Sequence, residues 1–269
     1  MNSKSPRIVA ISSGKGGVGK TNFTANLALF YASLNKKVLI LDADLGLSNI
    51  DVLFGIAPKY NLKHVLTGEK SLKEIIVTGP LGIMILPASS GIRSLTKLTD
   101  TQRLKLVSEL DNFDMSFDIF LIDTGAGIAD NVLFFCSAAQ ETIVIVTPEP
   151  TSLADAYALI KVLSRDFSEK HFRILVNTAR SEKEAFDTFR KLAIVADKFL
   201  NLSVDYLGYL PYDQHVKDAI IAQKGFIAMY PNSNFAKKLA NIGQRVLDNH
   251  RDDVKDTVQF FLKKALRVG

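Results

Sequence analysis

Six short runs of the chain are nearly continuously apolar instead of alternating: Ile8–Ser12, Lys37–Leu41, Ile83–Pro87, Ile119–Asp123, Thr142–Thr147 and Phe172–Asn177. An alternating strand keeps one face for water, whereas a continuous run leaves neither face wet, as parallel sheets covered by helices on both sides require. Between these runs the apolar residues fall at helical spacing. Phe23, Leu27, Phe30 and Leu34 form one such stripe, and Leu104, Val107 and Leu110 form another. The stretches Leu153–Leu163 and Glu184–Phe199 share that period. Strand and helix therefore alternate, which predicts an α/β, doubly wound, mostly parallel sheet with helices on both faces in three layers. The last strand candidate, Val204–Leu210, ends at Pro211, and the remainder reads as helix.

At 269 residues, 47% apolar and 23% charged, the composition is that of a globule with a core large enough to need no covalent staples. The single cysteine, Cys136, lies in the apolar run Val132–Cys136 and reads as a buried hydrophobe. One cysteine excludes an internal disulfide framework and a thiolate-only metal or iron–sulfur site within one chain. Polar Met1–Pro6 does not read as a signal peptide, and no run approaches the roughly 18–20 apolar residues of a membrane span. A cytoplasmic location is expected. The net charge of +5 makes an anionic partner plausible and equally suits a solvated surface.

The sharpest motif follows the first strand run. In Ser12-Ser-Gly-Lys-Gly-Gly-Val-Gly-Lys-Thr21, Gly14, Gly19, Lys20 and Thr21 complete the phosphate-loop spacing, and Asn22 is expected to open a helix. Glycines at 14, 16, 17 and 19, with Val18 among them, let backbone amides turn inward at a helix N-terminus and form an anion nest. Lys20 would set its charge near the β- and γ-phosphates of ATP, and the Thr21 hydroxyl can ligate Mg2+. Lys15 is an extra cation whose position directs it away from its own nucleotide.

Two further strand ends carry acids. Asp42 and Asp44 stand two residues apart and so point the same way, toward the crevice where such sheets bind ligands. One can help hold hydrated Mg2+ while the other orients the attacking water. Asp123 ends an apolar strand and is placed to reach the metal shell, and the glycines after it permit a γ-phosphate-sensing switch. Asn177 and Pro211 end two later strands, where an amide can read an adenine edge or simply form a turn.

Lys15-Gly-Gly-Val-Gly-Lys-Thr21 resembles the deviant Walker A loop of the MinD/ParA ATPases, a resemblance running from Arg7 to about Gly243. Within it, Leu41–Asp51 and Ile122-Asp-Thr-Gly-Ala-Gly-Ile128 are most similar to the flagellar-number regulators FlhG/FleN. The resemblance implies an ATP-dependent homodimer with Lys15 reaching the partner subunit's phosphates. It also implies Asp44 as the water-positioning residue, Asp42 with Thr21 and Asp123 around Mg2+, and Glu149 and Asp155 near the dimer interface. Other implied partners are the flagellar GTPase FlhF, flagellar basal-body proteins or a flagellar transcription regulator. FlhG proteins usually carry an N-terminal helical extension that stimulates FlhF, and here the first strand run begins at Ile8.

Residues 1–250 thus read as one ATPase domain and 251–269 as a separate amphipathic helix. Val254, Val258, Phe261, Leu262, Ala265 and Val268 form its stripe, flanked by Lys255, Lys263, Lys264 and Arg267. Phe260–Leu266 resembles the membrane-targeting end of MinD proteins and suits an anionic membrane surface, although a packed brace would show the same pattern. Reversible binding to the inner membrane face follows as an expectation, whereas specific nucleic acid does not. The alternatives are a ParA-like partition ATPase, revealed by salt-sensitive DNA binding, or a MinD-like cell-division ATPase.

Overall fold

The computed structural model describes residues 6–45, 49–88, 97–113 and 117–248. The amphipathic segment expected at 251–269 lies outside them. The strands are β1 (Arg7–Ser13), β2 (Val38–Ala43), β3 (Val77–Thr78), β4 (Met84–Leu86), β5 (Ile119–Ala126), β6 (Glu141–Val146), β7 (Phe172–Ala179) and β8 (Asp205–Pro211). They form one sheet in the order β3-β4-β2-β5-β1-β6-β7-β8. Every pairing is parallel except β3 with β4. Two residues of antiparallel edge are too short to leave a periodic signal, so β3 was not foreseen.

The helices are α1 (Lys20–Ser33), α2 (Ile50–Leu53), α3 (Leu62–Thr67), α4 (Leu72–Ile75), α5 (Asp100–Asp111) and α6 (Asp130–Ala138). They continue as α7 (Pro150–Asp166), α8 (Glu182–Leu200), α9 (His215–Ile221), α10 (Phe226–Met229) and α11 (Asn234–Asp248). Apart from the two-residue edge strand β3, each strand feeds two cores alternately. Ile8 and Ala10 of β1 pack with α3 to α8, while Val9 and Ile11 pack with α1, α2 and α9 to α11. This is the physical reason for the continuous apolar runs: both neighbours along a strand are buried, on opposite faces.

Local chemistry sets several ends. Thr99 and Gln102 form a reciprocal capping box that starts α5, and Ser181 accepts from the Glu184 N–H to start α8. At the amino edge of the sheet, Glu141 bridges Arg7 and Arg173. The same arginines donate to the carbonyls of Leu247 and Arg245, which satisfies the last turn of α11. Among the described residues no helix is long and apolar enough to cross a membrane.

β1 lies where the winding reverses, with β5, β2 and β4 on one side and β6, β7 and β8 on the other. The crevice at its carboxyl end is the place such a sheet offers a ligand, and the loop after Ser13 stands there.

Candidate nucleotide-binding site

α1 begins at Lys20, two residues earlier than the expected opening at Asn22. Gly19 supplies the reason: at φ 93° it is left-handed and turns the loop straight into the helix. The unpaired N–H groups of the first turn therefore face the space enclosed by the loop. Gly14 is needed for a different reason. A Cβ there would stand 2.0 Å from the Asp155 carbonyl carbon, so the loop lies directly against the α7 backbone.

Beside the loop opens a cleft of about 630 Å³. Gly16, Gly17, Gly19, Lys20, Thr21 and Asn22 line one wall, and Asp44 stands among the facing residues. An apolar lip of Val52 on α2 with Ile220 and Ile221 on α9 completes it. Gln223 ties the two lips by donating to the Val52 carbonyl at 2.9 Å. Sequence reading missed this lip because its halves are more than 160 residues apart in the chain.

The Lys20 ammonium is buried and donates to the Ser13 hydroxyl at 2.8 Å, while that hydroxyl donates to the Lys15 carbonyl at 2.7 Å. Burial lowers the Lys20 pKa, and the charges of Asp123 and Asp44 oppose the shift. Asp123 is buried and pushed up to about 7, chiefly by burial and next by the neighbouring Asp42 charge. Hydrogen bonds from Thr21 and Thr24 and the charge of Lys20 pull it back. The Thr24 bond was not foreseen; its hydroxyl lies 3.1 Å from Asp123 Oδ1.

Asp42 is also buried, and one of its oxygens accepts from the Asn49 and Ile50 N–H groups at 2.9 and 3.0 Å. It thereby holds the start of α2, whereas Asp44 is half-buried at the cleft. The pair was expected to point the same way, and only Asp44 reaches the cleft wall. Asn177 and Pro211 do not line the cleft. The Asn177 amide donates to the Val18 carbonyl at 2.8 Å, and Pro211 pairs with Ala179 at the end of β8. Lys15 forms an ion pair with Glu149 at the start of α7 and donates to Thr151 Oγ1 at 3.2 Å. The two residues assigned to one interface by resemblance, Lys15 and Glu149, thus meet within one chain, with Asp155 exposed further along α7.

The donor chemistry suits a magnesium nucleotide. Thr21 and Asp123 offer hard oxygens beside Lys20, and Mg2+ is ordinarily held by one or two carboxylates together with phosphates. A buried Asp123 with a second carboxylate nearby is short of positive charge, which a divalent cation would supply.

A family model described as "ParA: NUBPL iron-transfer P-loop NTPase" matches residues 4–247. The chain belongs to the ParA/MinD family of P-loop NTPases. The antiactivator FleN of Pseudomonas aeruginosa is 42% identical over 240 residues, covering 89% of this chain and 86% of that protein. The flagellum site-determining protein YlxH of Helicobacter pylori is 31% identical, covering 99% and 92% respectively. Among solved structures, a chain of the MinC:MinD cell division complex of Aquifex aeolicus matches with TM-score 0.75 and 25% identity, over 91% of this chain and 97% of that one. Iron transfer in the family description finds no thiolate pair here, since Cys136 is the single cysteine and is buried.

Asp123 yields a stability prediction. Its folded pKa lies above the ordinary aspartate value of 3.8, so the folded state holds the extra proton between the two values. That contribution is fully present below the unfolded pKa and is lost as pH rises through about 7. Asp123→Asn removes the charge and keeps an oxygen for Thr24. In chelator, without nucleotide, the variant is expected to melt several degrees above wild type at pH 8. The gap should close toward pH 5, as thermal melts across that range will show. A gap that is absent at pH 8, or that widens as pH falls, contradicts this account of Asp123.

Proposed function

We propose that the protein is a Mg2+-dependent ATPase that acts as a dimerisation switch in controlling flagellar number or placement. The observation that carries this reading is Lys20 buried beneath a complete phosphate loop, with Asp44 across the same cleft. The flagellar assignment rests on the similarity to FleN and YlxH. In this reading the loop amides and Lys20 hold the triphosphate, and Thr21, Asp123 and Asp42 belong to the metal's surroundings. Mg2+, when bound, offsets phosphate charge and polarises the bond that breaks. Asp44 positions the attacking water and Asn22 lies beside the loop at the helix start. Lys15 exchanges its Glu149 contact for phosphates of a second copy.

Lys15→Ala tests the switch. The variant is expected to bind ATP within a few-fold of wild type as a monomer, yet to lose most ATP-dependent dimer on size exclusion. Unchanged dimer together with unchanged hydrolysis would reduce Lys15 to a surface lysine paired with Glu149.

Association of the dimer with an anionic membrane would give two anchors where the monomer has one, which multiplies a weak affinity. Truncation after His250 should abolish ATP-dependent sedimentation with anionic liposomes while ATPase activity is kept. Sedimentation that survives truncation removes the membrane half of the proposal, and a large fall in melting temperature would assign the segment to the body instead.

A further inference from the structure

We infer that Gln223 is a latch across the mouth of the cleft, a positioning residue that holds α2 against α9 and slows both the entry and the release of nucleotide. This rests on the proposed binding of ATP and deepens it.

Two helix ends meet at this point. α2 closes on Gly55 and α9 on Gln223, each a left-handed residue just after the C-cap, at φ 64° and 52°. The same pair of backbone bonds finishes both turns. Gly55 N–H donates to the Val52 carbonyl and Ile56 N–H to that of Asp51, while Gln223 N–H donates to Ile220 and Lys224 N–H to Ala219. Glycine is the residue such a place favours, because a Cβ strains it. α2 follows that rule and α9 departs from it.

The departure gives α9 a side chain at the turn, and that side chain is used. Gln223 Nε2 donates to the Val52 carbonyl at 2.9 Å. One oxygen in the last turn of α2 therefore accepts from its own chain end and from the opposite helix. The glycine opposite leaves the room. A Cβ at position 55 would lie 3.2 Å from Gln223 Oε1 and 3.5 Å from Gln223 Cβ. Strain of this kind persists where the contact it permits has a use.

The place of the bridge supplies the use. Val52, Ile220 and Ile221 line the cleft and are 58%, 46% and 71% exposed, so they form its rim. α2 starts on the Asp42 carboxylate through the Asn49 and Ile50 N–H groups. On the other side, Ile227 N–H donates to Asn26 Oδ1 at 3.0 Å, and Asn26 donates to the Asn22 carbonyl in the first turn of α1. A Cβ on Gly225 would stand 1.9 Å from Leu29 Cδ1, so the chain after α9 lies hard against α1. Gln223 closes this ring by joining α2 to α9. It ties protein to protein and leaves the phosphates to the loop, so it bears on the barrier to exchange and not on the bound state. Nucleotide passes the rim in the fraction of time that the bridge is open.

Gln223→Gly deletes the latch and relieves the left-handed strain, so the variant should melt close to wild type. Stopped-flow fluorescence with a ribose-labelled ADP and Mg2+ gives its association and dissociation rates. Both are expected to rise by the same factor, about fivefold for one exposed hydrogen bond, with Kd unchanged. Gln223→Met keeps an unbranched side chain over Gly55 without the donor, and the same paired rise is required of it. A rise in Gln223→Gly that Gln223→Met does not share would assign the effect to a loosened turn and overturn the latch. Faster dissociation with unchanged association would make Gln223 a direct contact of the ligand, which also overturns it. Unchanged rates, whatever the melting temperature, would reduce the bridge to a structural brace. Wild-type protein that binds no labelled ADP would instead defeat the proposed function, and the inference with it.

Discussion

Lys20→Ala is expected to lose ATP binding by on the order of a thousandfold. A unit charge about 4 Å from a phosphate oxygen contributes roughly 4 kcal/mol at an effective dielectric near 20, and 1.4 kcal/mol is a factor of ten. The ammonium is already placed for this: it is buried and held by Ser13 at the head of the loop. Desolvation lowers its pKa, so the protein spends stability to keep a cation there. Fluorescent ATP-analogue titration measures the loss, and a melt without nucleotide shows that the variant folds. Wild-type affinity in a folded Lys20→Ala protein would sink the phosphate-loop assignment. Lys20→Arg is the informative companion. It keeps the charge, but a planar guanidinium does not reproduce the compact ammonium that donates to Ser13, so binding should remain weak.

Asp44→Ala is expected to separate binding from hydrolysis. Asp44 is half-buried at the cleft, and a Cβ on Gly125, just beyond Asp123, would lie 3.7 Å from its carboxyl carbon. The carboxylate therefore stands between the phosphate loop and the carboxyl end of β5, which is where the proposed role of orienting an attacking water needs it. Loss of a group that positions or accepts a proton typically costs about 10²–10⁴ in rate. Hydrolysis should fall by that order, ATP affinity should change little, and the ATP-bound dimer should persist on size exclusion longer than wild type. A variant that hydrolyses ATP normally, or that remains monomeric where wild type dimerises, excludes this role.

The phosphate loop was legible because its residues are contiguous and stand between two elements with clear periodicity. Asp123 and Asp44 were legible as the polar ends of apolar strands. What the chain order hides is which distant groups meet them. Ser13 and Thr24, which hold Lys20 and Asp123, are ordinary hydroxyls until the fold brings their partners close. The Val52 and Ile220–Ile221 lip is assembled from α2 and α9, whose helices of four and seven residues show little periodicity. Asn177 illustrates the limit well. Its place at a strand end is visible in the sequence, but its direction depends on the bulge at Thr178, which no pattern of apolar residues reports. In α1 the stripe Phe23, Leu27, Phe30 and Leu34 held only in part: Phe23 and Leu27 are buried, Phe30 is half-buried, and Leu34 is exposed just past the helix end. Ala25, Ala28, Leu29 and Tyr31 are buried instead, because the helix lies beneath α10 and α11 as well as on the sheet. A helix covered on several sides shows no single apolar face.

The contact between Gly14 and α7 bears on how binding at one place is felt at another. Loop and helix touch backbone to backbone at Asp155 and Ala156, with no side chain between them to yield. A close-packed contact transmits displacement where a soft one would absorb it. Any shift of the loop that tightens its amides around an anion must push α7 along with it, or open a gap that costs attractive contact. The side chains of the turn that meets the loop, at Thr151, Ala154 and Asp155, are exposed. Filling the loop would therefore be written on the protein's surface as a displacement of that turn.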